Sequence, residues 1–235
     1  MAKKSRTPAP PRRVQAPKKR SEPRRTPGGR TRVWIAVAAG ALLLAGAGGA
    51  IAFAMTRDGG AAAASGPCQI REVPAQRAQH VERLPKDFEP NSFPRTSGPH
   101  HPQTVVYGEY TEPLPQLNLV HNLEHGAVAV QYGRDVSPET IEQLQEWYRT
   151  DPRGLILAPL PDAEQAAPLR DKIALTAWVA ELEDETDPTS EIVREEGVLA
   201  ICSGFEREAF DDFLENYRAK GRERFQLDDL QPGSG

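Results

Sequence analysis

The spacing of apolar residues changes abruptly along this chain. Positions 33–55 form an unbroken apolar run with no charged residue in it. At a rise of about 1.5 Å per residue, such a run crosses a hydrocarbon core of roughly 30 Å, which predicts a transmembrane helix. Downstream, Pro74, Pro85, Pro90, Pro94, Pro99 and Pro102 interrupt the chain, leaving a short strand at 69–73 and a long loop to about residue 103. Strand-like patterns return at 105–110, 127–132, 155–160 and 172–182. In the last of these, Ile173, Leu175, Ala177 and Val179 alternate with Ala174, Thr176, Trp178 and Ala180, as expected of a strand buried on both faces. Residues 198–202 fit either a strand or a helix end.

Helical spacing appears twice. Ser137-Pro138-Glu139 supplies an N-cap, a first-turn proline and a first-turn acid, and Ile141, Leu144, Trp147 and Tyr148 then mark one face up to Pro152 and Gly154. Phe210, Phe213, Leu214 and Tyr217 form a stripe on a helix over 206–220, with Gly221 as its stop. These elements predict an α+β fold: a small mixed or antiparallel sheet with two packed helices and a long Pro/His-rich loop, preceded by one transmembrane helix.

Charge divides the chain further. Residues 1–32 hold 12 of the 29 basic residues and one of the 33 acids, so the remainder carries 17 basic and 32 acidic residues, a net charge of −15 with His neutral. The basic segment is Pro-rich and nearly devoid of apolar residues, and is expected to be disordered. Lying wholly before the apolar run, it orients the amino terminus to the cytoplasm and the acidic part outside. The chain is thus expected in the cell membrane as a single-pass protein, its basic tail resting on anionic lipid, each basic residue there worth about 1 kcal/mol. A nucleic-acid partner is not expected. A cleaved signal peptide is the competing reading, with Ala61 to Ala64 as a small-residue site, but both the basic region and the apolar run are longer than such peptides use. The expected divisions are a basic tail (1–32), a transmembrane helix (33–55), a Gly/Ala-rich linker (56–67), an extracytoplasmic domain (68–221) and a flexible tail (222–235).

The chain has two cysteines, Cys68 and Cys202, at opposite ends of that domain. Outside the cytoplasm, one disulfide between them is the default.

All five histidines, His80, His100, His101, His121 and His125, lie in one window of the acidic part. Imidazole suits copper and zinc alike, so His80, His100, His121 and His125, with His101 as a further candidate, are the expected metal ligands. Glu124, Ser97 and Asn122 are expected to orient the rings, with Glu109 and backbone carbonyls as other acceptors. A second reading takes His121-Asn122-Leu123-Glu124-His125 as an H-x-x-E-H string in which two histidines one helical turn apart hold zinc and Glu124 acts as general base. It needs a helix over 116–125, which Gly126 cuts short, and a further ligand such as Glu139, Glu142 or Glu146. The third reading keeps the imidazoles as hydrogen-bonding struts of the loop, in a structural or interaction domain without metal. An enzyme is the weaker expectation, because no catalytic constellation accompanies the histidines.

Pro94-Arg95-Thr96-Ser97-Gly98-Pro99-His100, the Gly-x-Tyr at Gly108 to Tyr110, and Leu119-Val120-His121-Asn122-Leu123-Glu124-His125-Gly126-Ala127-Val128 together carry a resemblance. This chain resembles the bacterial family called domain of unknown function 3105 from about residue 80 to residue 221. Ala177-Trp178 and the Phe-rich last helix fit it too. The resemblance implies a membrane-anchored extracytoplasmic domain with its site at these motifs, and no particular reaction.

Overall fold

The structure is a computed structural model that describes residues 67–187 and 189–235. The basic tail, the apolar run and the linker up to residue 66 lie outside the described residues, and among the described residues no helix is long and apolar enough to cross a membrane.

Six strands form one mixed sheet. In chain order they are β1 (Cys68–Pro74), β4 (Gly108–Glu109), β5 (Val128–Tyr132), β6 (Leu155–Pro159), β7 (Ile173–Leu182) and β8 (Ile192–Cys202), and their spatial order is β1-β8-β7-β5-β6-β4. The pairs β1/β8, β8/β7 and β7/β5 are antiparallel, while β5/β6 and β6/β4 are parallel. The short β2 (Gln79–His80) and β3 (Pro99–His100) pair separately, in parallel. Three helices complete the domain: α1 (Gln116–Glu124), α2 (Pro138–Tyr148) and α3 (Arg207–Tyr217).

Strand alternation divides the core into two layers. On one face Val128, Val130, Leu155, Leu157, Ile173 and Leu175 pack with Leu144 and Trp147 of α2 and with Phe210 and Phe213 of α3. Here α2 is the crossover that joins β5 to the parallel β6, as parallel neighbours require. On the other face Ala129, Ile156 and Trp178 pack with Leu119, Val120 and Leu123 of α1, with Tyr107 and with Leu230. β7 is therefore covered on both sides, as its continuous apolar pattern predicts. The two expected helices share one face, and the shorter α1 holds the other. α1 has no side-chain cap, so its place depends on packing: fully burying a Leu contributes about 1.5–3 kcal/mol, and Leu119 and Leu123 are both buried.

Several expectations shift. Only Gly108–Glu109 of the expected strand 105–110 forms ladder pairs, extended by Tyr110 N–H donating to Leu157 O, because the backbone groups ahead of them bond elsewhere. The Asn122 amide takes both the N–H and the carbonyl of Val105, and Tyr107 N–H donates to Ser234 O at 2.7 Å. Residues 198–202 are the buried end of a strand that begins at Ile192, its first half masked in the sequence by Arg194, Glu195 and Glu196. α3 stops at Tyr217, short of Gly221. Ala219, at φ 57°, turns the chain so that its N–H donates to Gly126 O while Lys220 O accepts from Ala180 N–H. The chain beyond is not a loose tail: Leu230 is buried, its carbonyl accepts from Gly154 N–H, and residues 222–225 run beside the histidines.

Cys68 and Cys202 form a disulfide between residues directly opposite each other on β1 and β8.

Candidate metal centre

Three chain segments bring the histidines together. The β2/β3 ladder sets His80 opposite His100. The turn before β3 is held by Gly98, at φ 97°, and by the buried Arg95 guanidinium, which donates to Ser97 O and Pro99 O. α1 contributes His121 and Glu124 one turn apart, and His125 just past its end; Gly126, at φ 98°, then turns the chain into β5. The ring centroids of His80, His100 and His121 are mutually 4.9 Å apart, and that of His125 is 4.6 Å from His121. Trp178 of β7 lies edge-on beneath His100 at 6.0 Å.

Two backbone carbonyls fix the ring orientations. His100 Nδ1 is 2.8 Å from Gly98 O, and His121 Nδ1 is 2.9 Å from His101 O. A carbonyl only accepts, so both Nδ1 atoms carry the hydrogen and each neutral ring keeps its lone pair on Nε2. His100 Nε2 lies 2.9 Å from Glu124 Oε2; both atoms are buried, and neither has a partner other than the other. A lone pair facing a carboxylate oxygen at that distance calls for a cation or a proton between them. Among the described residues, two groups can hold an ion with donor atoms within 4.8 Å of one another: His80, His100, His121 and Glu124, and His121, His125 and Glu223. Donors on one ion, each about 2.1 Å from it, span at most about 4.2 Å, so either group closes on a metal with shifts under about 1 Å.

The electrostatics suit an ion. Burial, with His125 and His100 nearby, pushes His121 down to about 4, so it is neutral with its lone pair free at neutral pH. Burial likewise lowers His125, against the pull of Glu223. Burial acts to raise Glu124, but the close His100 imidazole, His121 and Arg222 outweigh it and hold the carboxyl below its usual range, as a carboxylate. Arg222 Nε lies 3.5 Å from Glu124 Oε1.

Other expected site residues have different work. His101 is in neither donor group: Nε2 is 3.1 Å from Glu82, Nδ1 accepts from Gln103 N–H at 3.0 Å, and only its carbonyl serves the site. Ser97 Oγ accepts from Gln76 N–H and Asn122 clamps Val105, so each secures the loop while carbonyls orient the rings. Glu109 pairs with Arg149. The H-x-x-E-H string splits, with Glu124 beside His100 and His125 paired to Glu223 at 2.9 Å. Glu139, Glu142 and Glu146 sit on α2, across the sheet from α1. Sequence reasoning misses Arg222, Glu223 and Phe225, the last stacked on His125 at 4.2 Å, because no spacing links them to the histidines nearly a hundred residues earlier.

The family model described as protein of unknown function (DUF3105) matches residues 85–226. The chain belongs to this family. The span that defines the family here includes His100, His121, Glu124, His125 and Glu223, and begins just after His80. Searches of curated proteins and of solved structures found no match to the chain.

Proposed function

We propose that this protein is a membrane-anchored metal-binding protein whose domain outside the cytoplasm holds copper or zinc between His80, His100, His121 and Glu124. One observation carries the reading: His100 Nε2 and Glu124 Oε2, both buried and with no partner but each other, face each other at 2.9 Å among two further imidazoles. Three imidazoles and a carboxylate suit either divalent ion, and the absence of Cys or Met from the donor set disfavours copper(I). The Cys68–Cys202 disulfide and the basic segment ahead of the apolar run favour the extracytoplasmic placement. The donors lie within a few Å of one another, on the scale of an ion. A cavity of about 360 Å³ is lined instead by residues such as Trp147 and Arg218, which lie with α2 and α3.

The test is elemental analysis of the detergent-solubilised full chain after exhaustive dialysis, for the wild type and His100→Ala. The expected result is one copper or zinc per chain, lost in the variant while its circular dichroism is kept. A wild type that retains no metal after challenge with either ion would leave the histidines as struts of the loop.

A further inference from the structure

Each of the two donor groups has one exposed member, His80 in the first and Glu223 in the second, and the groups share a ligand. Glu223 Oε2 stands 2.9 Å from His125 Nε2, and the Phe225 ring, stacked on His125, fixes the plane of that imidazole. The side chains of His125 and Glu223 are 16% and 42% exposed, against 1% and 4% for His100 and Glu124. Glu223 therefore presents a carboxylate to solvent at the edge of a site whose own carboxylate is enclosed. His121 belongs to both groups. Its Nδ1 is committed to His101 O, which leaves one nitrogen for coordination, and one nitrogen does not serve two ions.

We propose that His121, His125 and Glu223 form a second cation position, mutually exclusive with the buried one, which captures a divalent transition metal from solvent and passes it inward by exchange at His121. This rests on the metal-binding reading above. Capture starts at the exposed Glu223 carboxylate, and the mostly buried His125 imidazole behind it completes the outer position. Transfer then replaces His125 and Glu223 by His100, Glu124 and His80 around an ion that His121 never releases. Arg222, adjacent to Glu223 in the chain, contacts Glu124 of the inner position, so one short segment borders both. Loss of the outer position should slow loading without changing the final complex, whereas loss of an inner ligand should strand the ion outside.

The experiment loads the full chain in detergent micelles with cobalt(II), reading stoichiometry and visible absorption at equilibrium and the loading rate by stopped flow. The wild type should bind one cobalt per chain. Glu223→Gln should reach the same stoichiometry and spectrum at least tenfold more slowly. His80→Ala should bind one cobalt with an altered spectrum and faster loss to a chelator, and the double variant should bind none. Two cobalt ions per wild-type chain would show independent positions and overturn the proposal. So would wild-type loading rates in Glu223→Gln, which would place the route past the exposed His80. A wild type that binds no cobalt at all would remove the metal-binding reading itself.

Discussion

Thr96 of the Pro-rich loop is seated directly on Gly197 of β8: a Cβ on that glycine would lie 2.0 Å from Thr96 Oγ1 and 2.6 Å from its Cβ. Thr96 is fully buried, and Ser92 Oγ holds its hydroxyl at 3.0 Å and its N–H at 3.2 Å. The missing side chain in β8 is thus what lets the loop dock, four residues before His100. Gly197→Ala is expected to destabilise the domain by about 1–3 kcal/mol, as overpacking does, and to weaken metal retention by displacing His100. Urea midpoints and dialysis against chelator measure both, with Gly204→Ala as the comparison, since nothing lies within 4 Å of a Cβ there. Equal metal retention in the two variants would separate the loop's docking from the site.

Acid should unfold the metal-free domain earlier than its carboxylates alone require. In the unfolded chain His121 takes up a proton near pH 6.5, and in the fold only near 4. Between those values the unfolded state holds the extra proton, so stability rises with pH across that window and is lost as pH falls through it. The full shift corresponds to roughly 3 kcal/mol, and the lowered His125 adds to it with the same sign. The Glu124 carboxylate contributes in the same direction at lower pH, its stability being lost as pH falls through its depressed value. Urea midpoints between pH 7 and pH 4 should decline steeply for the wild type and less so for His121→Gln. Parallel declines in the two would mean that the imidazole is already protonated in the fold.

The disulfide joins residues 134 apart in sequence. Closing a loop of that length lowers the entropy of the unfolded chain by an amount worth about 5 kcal/mol at most. The Cys68→Ala, Cys202→Ala double variant is expected to lose about 2–5 kcal/mol and to retain metal wherever it is folded, because neither cysteine belongs to either donor group. Thermal melts with and without zinc measure the two effects separately. A folded double variant without metal would tie the site to β1.

How much was legible in the sequence follows from the range of each signal. The two-sided burial of β7, the Ser137-Pro138 start of α2 and the pairing of two lone cysteines each depend on a few neighbouring residues or on simple counting, and each appears in the structure. The window of histidines marked the site, but not which of them meet. His101 is adjacent to His100, yet its ring is held by Glu82 and Gln103 N–H, and only a two-residue ladder to β2 sets His100 opposite His80. The ring-orienting acceptors are carbonyls, which every residue has, so no residue type announces them. Glu223 was illegible for another reason: Ala219 at positive φ redirects the chain toward Gly126, and a helical stripe does not reveal where the helix gives way.

Cys68 opens β1 and Cys202 closes β8, and the two form the first pair of the β1/β8 register. That placement has a mechanical meaning. A pull on the chain ahead of Cys68 would otherwise peel an edge strand from the sheet one hydrogen-bonded pair at a time, the softest way to open a ladder. With the covalent bond at the first rung, the load bypasses β1 and passes straight into β8, which lies between two neighbours and must shear against both before it can move. The disulfide thus ties the free edge of the sheet to an interior strand at the end where the described domain begins.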